Sequence, residues 1–229
     1  MRLVRLALFG ALVAAAPACT NDGGSSFFIV QNQVPTEGCV IPSDVGSGFL
    51  SKGTIEASAE TGYIFTPVVQ SLLTTMEGAA ADRVIFVQGA DISLSFPRGE
   101  LDDVPTFRQR FSGSVFPGGT TSFGFELVPL DTLEDVAAVL GDGAGAVSIS
   151  AEITLIGTVD GGDVDAEPYF YNIDVCNGCL VQDLGNCADL PEGITIDQGG
   201  QCQIFQDAPV DCCMDDTLGF LCPAVATGA

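Results

Sequence analysis

The chain has 229 residues, with thirty Asp and Glu against seven Lys and Arg, a formal charge of −23, nine cysteines, and no histidine or tryptophan. The missing imidazole excludes Ser-His-Asp and Cys-His nucleophilic catalysis, H-E-x-x-H zinc sites and every mechanism that needs a histidine near neutral pH. The acidic balance favours solubility and opposes nucleic acid and anionic headgroups as partners.

The first eighteen residues, MRLVRLALFGALVAAAPA, place Arg2 and Arg5 ahead of an apolar run from Leu6 to Ala16. A basic start followed by a short apolar run reads as an export signal, because a transmembrane helix needs about 20 apolar residues. Both arginines leave with the signal, so the remainder carries five basic and thirty acidic side chains. The signal ends Ala16-Pro17-Ala18-Cys19, an A-x-A site for ordinary cleavage. The same residues resemble the lipobox of bacterial lipoproteins, with Ala16 where that family usually has leucine. The resemblance implies cleavage at residue 18, a lipid on Cys19 and attachment to a membrane. Residues 19–26, Cys-Thr-Asn-Asp-Gly-Gly-Ser-Ser, then read as a lipidated cysteine on a polar, flexible tether. Cysteine parity favours lipidation over simple secretion, since acylating Cys19 leaves eight cysteines for four bridges.

Residues 27–180 read as one β-rich domain. Runs at 27–34, 49–57 and 63–72 are strand candidates, and Pro67 places the third at an edge or a bulge. Ala90, Ile92, Leu94 and Phe96 alternate with polar or small residues, the period of a half-buried strand. In Phe107-Arg-Gln-Arg-Phe111 the same period puts both arginines on one face and both phenylalanines on the other. Phe123, Phe125 and Leu127 form a further strand. Asp131-Thr132-Leu133-Glu134 predicts a capped helix, with Leu133, Val136, Ala137 and Leu140 on one face and Gly141 as the stop. Val147 to Leu155 and Tyr169 to Val175 alternate again, and Asp160-Gly161-Gly162-Asp163 between them predicts a hairpin turn. Seven or eight strands and one short helix predict an all-β fold, an antiparallel β-sandwich of immunoglobulin-like or fibronectin-like type. Residues 181–229 lose the alternation and hold five cysteines, which predicts a tail ordered mainly by disulfides.

The stretch Val175-Cys176-Asn177-Gly178-Cys179-Leu180 admits three readings. Zinc would use Cys176, Cys179 and two later thiolates, but there is no second C-x-x-C at ribbon spacing. A redox site would place the motif at a helix start, and Asn177-Gly178 reads as a turn. Structural bridging among Cys39, Cys176, Cys179, Cys187, Cys202, Cys212, Cys213 and Cys222 is the preferred reading in an oxidising compartment. Seven cysteines from Cys176 onward are an odd number, so Cys39 is expected to reach into the tail. The adjacent pair Cys212 and Cys213 is expected to take different partners. Connectivity beyond that stays open among 105 possibilities.

Asp160, Asp163 and Asp165 form a weak Ca²⁺ candidate, since three carboxylates plus carbonyls could begin an oxygen shell, although the spacing is not that of an EF-hand. The only lysine, Lys52 beside Ser51, reads as an exposed strand residue rather than half of a Ser-Lys site. Paired acids such as Asp102-Asp103 and Asp215-Asp216 leave carboxylate hydrolysis open by composition and read first as solvated turn residues. Arg98, Arg108 and Arg110 read as an outer sheet face paired with acids, or as an anion contact.

The ending Ala-Cys19, the β-rich body, Cys176-x-x-Cys179-Leu180 and the tail Gln206-Asp207-x-x-Val210-Asp211-Cys212-Cys213 together resemble the acidic, cysteine-rich predicted lipoproteins of myxobacteria. That resemblance implies an outer-membrane or cell-surface lipoprotein and no activity. The expectation is a non-enzymatic envelope protein without a cofactor, held to a membrane by its lipid, with a structural or protein-binding role. A Ca²⁺- or glycan-binding module is the alternative.

Overall fold

In the computed structural model, residues 25–223 are described apart from 47, 76–82, 142, 144, 195, 198 and 201. The predicted signal segment, Cys19 and the predicted tether up to residue 24 lie outside the described residues. The described chain is predominantly β-strand with one α-helix. In chain order the strands are β1 (Phe27–Gln33), β2 (Phe49–Leu50), β3 (Gly53–Glu56), β4 (Tyr63–Phe65), β5 (Pro67–Ser71), β6 (Ile85–Ser95), β7 (Val104–Val115), β8 (Thr120–Ser122) and β9 (Phe125–Val128). The helix α1 (Leu130–Leu140) follows, then β10 (Gly145–Val159), β11 (Gly162–Asp165), β12 (Tyr169–Asn177), β13 (Val181–Asn186), β14 (Val210–Asp215) and β15 (Gly219–Leu221).

Four sheets result. A four-stranded sheet runs β2-β1-β5-β8, and a six-stranded sheet runs β3-β12-β10-β6-β7 with β11 also paired to β10. β4 pairs with β9, and the tail makes its own sheet, β13-β14-β15. The long central strands follow from their alternation. In β10, Val147, Ile149, Ala151, Ile153 and Leu155 are buried on one face, and a half-buried pleated surface suits these residues. One hydrophobic cluster joins Phe27, Ile29 and Val69 of the first sheet to Ile92, Ile153 and Ile173 of the second, with Leu133 and Val136 of the helix.

Several expectations are corrected. The sheets are open and mixed rather than antiparallel throughout, because β3 runs parallel to β12 and β13 parallel to β14. The cause of the first is local: the run 49–57 divides at Ser51-Lys52, β2 pairing with β1 and β3 passing to the other sheet beside β12. The run 63–72 divides in the same way at Thr66, whose N–H and hydroxyl both meet Asn32 Oδ1, at 2.9 and 3.1 Å. Pro67 therefore opens β5, which is internal to its sheet and not an edge. A missing N–H is tolerated at a first strand position. The helix starts after Pro129 rather than at an Asp131 cap; Asp131 sits in the first turn and accepts from its neighbour, Thr132 N. The tail contains three strands that its irregular pattern hid.

The predicted hairpin is present, with Val159 opposite Gly162 and both central residues, Asp160 and Gly161, at positive φ (52° and 79°). Such a turn matches the right-handed twist of the strands it joins.

Candidate functional site

The tail docks on the body along β3. The carbonyl of Phe205 accepts from Glu56 N at 2.9 Å, Asp207 N donates to Thr54 O at 2.8 Å, and Ile55 bridges Gln206. An edge strand that would otherwise present open backbone groups is covered in this way. The Gln206 side chain then binds β4, accepting from Ile64 N at 2.8 Å and donating to Ile64 O at 2.7 Å. Residues 205–207 thus tie a six-stranded sheet, by the backbones of Phe205 and Asp207, to a two-stranded one, by the Gln206 amide. Phe205 and Asp207 hold this pose at φ 66° and 60°, a region that costs a non-glycine residue about 1–2 kcal/mol. Val210, next in the same segment, is fully buried, and the Asp211 carboxylate accepts from Asp197 N at 2.8 Å. The Gln206-Asp207-x-x-Val210-Asp211-Cys212-Cys213 segment is therefore a latch.

Beneath the latch lies a directed chain of polar groups. Thr66 N donates to Asn32, Asn32 Nδ2 to the Tyr171 hydroxyl at 2.8 Å, and Tyr171 and Tyr63 share a 3.2 Å hydrogen bond. Tyr63 donates to Asp207 Oδ2 at 2.9 Å, while Thr54 N donates to Oδ1 at 2.7 Å and Gln206 Nε2 to Oδ2 at 3.1 Å. Burial of this carboxyl pushes its pKa up, against the three hydrogen bonds that favour its anion. Burial also raises the Tyr63 and Tyr171 hydroxyls, and the nearby Asp207 charge adds to both. Both phenols are therefore donors at neutral pH. The network opens on a cavity of about 160 Å³ lined by Val34, Leu50, Ile64, Thr66, Gln203 and Asp207, among others. That volume is below the range of drug-sized ligand sites, and among the described residues Asp207 is the one carboxylate on its wall, so these residues do not set a glycosidase pair there.

Tyr63 also fixes Gly53. A Cβ on Gly53 would come within 2.5 Å of the Tyr63 hydroxyl and 2.6 Å of its ring, and Tyr63 is fully buried and cannot turn away. Gly53→Ala is expected to cost about 2–3 kcal/mol by overpacking, measured by urea unfolding.

The Cys176-Asn-Gly-Cys179 loop closes on itself: Cys176 is bonded to Cys179, with Cα atoms 5.8 Å apart. Its support is Glu56, a buried residue of β3 set beside Cys176 by the parallel pairing. Gly178 N donates to Glu56 Oε1, and Leu180 N donates to Oε2 at 3.0 Å. Among the described residues, Glu56, Cys176 and Cys179 are the one group of three metal-capable side chains whose ligand atoms all lie within 4.8 Å of one another. Sequence reasoning missed Glu56, which is 120 residues away and carries no motif.

The other bridges are Cys39–Cys202, Cys187–Cys213 and Cys212–Cys222. They differ in what they constrain. By chain entropy Cys39–Cys202, which spans 163 positions, contributes about 5 kcal/mol, whereas Cys176–Cys179, which spans 3, contributes about 2 kcal/mol. Four disulfides in one chain are the pattern of an exported protein matured in an oxidising compartment. No helix among the described residues is long and apolar enough to cross a membrane.

The remaining sequence candidates disperse. Asp160 is ion-paired with Arg83 at 2.6 Å, and Asp163 and Asp165 lie along β11 opposite Thr158 and Ile156. These three carboxylates do not converge within 4.8 Å as the Glu56 group does. Arg108 forms a two-pronged pair with Asp91 directly across the β6–β7 ladder, with both bonds at 2.7 Å. That hydrogen bonding holds the Asp91 carboxyl below its usual pKa. Lys52 is ion-paired with Asp174.

The chain matches no protein-family model and no curated protein. Among solved structures it is similar to a crystal structure of a protein from Archaeoglobus fulgidus, at 11% identity and a TM-score of 0.35, over 55% of this chain and 94% of that one. It is also similar to a solution structure of a protein from Arabidopsis thaliana, at 10% identity and a TM-score of 0.38, over 68% and 86%. At such scores neither likeness carries a conclusion about function.

Proposed function

We propose that this chain is a lipid-anchored protein of the bacterial cell envelope, at the outer membrane or cell surface, whose cross-linked body has a non-catalytic structural or protein-binding role. The observation that supports this best is the latch. Residues 205–207 complete the edge of one sheet and Gln206 ties it to another, while Cys39–Cys202 locks the same segment covalently. A cavity of modest size, three tail bridges and a histidine-free sequence suit durable display more than turnover. The body reads as a β-sandwich, its four- and six-stranded sheets sharing one apolar cluster. The lipid on Cys19 would hold it to the membrane, leaving an envelope protein as the partner of the body. This reading calls for no cofactor.

The anchor is tested with Cys19→Ser expressed in a bacterial envelope. The native chain is expected to fractionate with membranes and to carry an acyl mass on the peptide beginning at Cys19. The variant is expected to lose that mass and move to the soluble fraction. A native chain that is soluble and unacylated overturns the anchor.

A further inference from the structure

Cys176 and Cys179 are joined to each other but differ in setting. Cys179 is exposed on the loop, whereas Cys176 is buried behind it with its Sγ 3.6 Å from the Ile55 carbonyl oxygen. The buried Glu56 carboxylate lies within 4.8 Å of both sulfurs and grips the loop through the amides of Gly178 and Leu180. A staple requires none of this asymmetry. The three other bridges tie the tail to the body or to itself, while this one spans three residues and joins no two elements that the backbone does not already join.

We infer that Cys176–Cys179 is a thiol–disulfide exchange site for a protein dithiol or disulfide of the exported compartment. Cys179 meets the partner, Cys176 is the resolving sulfur, and Glu56 takes the Cys176 proton. This goes beyond a structural role and does not depend on lipidation of Cys19. In the dithiol form the Cys179 thiolate attacks one sulfur of a partner disulfide. A Cys179–partner bond forms, the partner's own S–S bond breaks, and its second sulfur leaves as a thiolate that takes up the proton Cys179 shed. Cys176 then gives its proton to Glu56, directly or through one water, and attacks Cys179 Sγ. The Cys176–Cys179 bond forms, the mixed disulfide breaks, and the departing partner thiolate takes the proton from Glu56. The chain loses two electrons and the partner gains them. A partner dithiol recharges the site by the same steps in reverse.

The test uses the oxidised exported chain, treated with limiting dithiothreitol, quenched with N-ethylmaleimide at intervals and mapped by peptide mass spectrometry. Cys176 and Cys179 are expected to be labelled together, about ten-fold or more faster than the other six bridged cysteines, with the circular dichroism unchanged. Reduced Cys176→Ser is expected to take glutathione from its disulfide onto Cys179, and reduced Cys179→Ser to react at Cys176 about ten-fold or more slowly. Glu56→Gln is expected to slow bridge closure by oxidised glutathione about ten-fold, without slowing glutathione addition to Cys179 in the Cys176→Ser background. Labelling of this bridge no sooner than the others, or faster addition at Cys176, overturns the exchange site. A Glu56→Gln effect on addition and closure alike overturns the proton role of Glu56. Should Glu56→Gln fail to fold, the two cysteine variants and the labelling order still decide the exchange site.

Discussion

Replacing Cys39 and Cys202 together with serine is expected to lower the unfolding free energy by about 5 kcal/mol, the largest effect of any bridge in the chain. The bond closes 163 positions, and the entropy it removes from the unfolded ensemble grows with the logarithm of that length. For a chain of this size the loss corresponds to a fall in melting temperature of roughly 10–20 °C. Removing Cys176 and Cys179 instead should cost about 2 kcal/mol. Calorimetry on the two double variants measures the ratio, and equal losses would contradict the long-range staple. The latch makes a further distinction. Without Cys39–Cys202 the backbone pairing of residues 205–207 with Thr54 and Glu56 remains, so the variant should keep its strand content and gain protease sensitivity first near residue 202.

Asp207→Ala is expected to cost about 3–5 kcal/mol, and its cost should depend on pH. Three donors lose their acceptor: Thr54 N, the Tyr63 hydroxyl and Gln206 Nε2. Each buried donor left unpaired costs about 1–3 kcal/mol. Burial raises the Asp207 pKa above that of an unfolded aspartate, about 3.9. Between those two values the folded state keeps a proton that the unfolded state has lost, so the contribution of Asp207 is greatest below the unfolded pKa and declines as pH rises through the folded one. The native advantage over Asp207→Ala should therefore shrink as pH increases across that window. Asp91 runs the other way. Its pKa is lowered by the Arg108 hydrogen bond, so its contribution is present above the unfolded pKa and lost as pH falls through the folded one. Urea unfolding of both chains over a pH series separates the two, and an advantage that grows with pH would overturn the assignment for Asp207.

What was legible in the sequence was local. Alternation from Val147 to Leu155 and from Tyr169 to Val175 marked β10 and β12, because period 2 is a property of a single strand between a core and water. Asp160-Gly161 marked its own turn, since only certain residues accept positive φ there. The odd count of cysteines from Cys176 onward called for an upstream partner, and Cys39 is bonded to Cys202. Where the reading failed, the deciding contact was distant. Pro67 pointed to an edge or a bulge because its neighbours 63–72 read as one strand. Asn32, from another part of the chain, binds Thr66 and separates β4 from β5 there.

The candidate site shows the same division. By itself the sequence determined that a histidine-free, acidic chain with nine cysteines depends on strands and bridges, since composition and period are set residue by residue. Only the tertiary structure decided that Glu56 stands behind Cys176, that Gln206 reaches Ile64, and that Tyr63 ends on Asp207. Each of those is a partly or fully buried contact between residues more than 100 positions apart. The need of a buried polar group for a partner is a general rule, but which partner it finds depends on how the sheets meet.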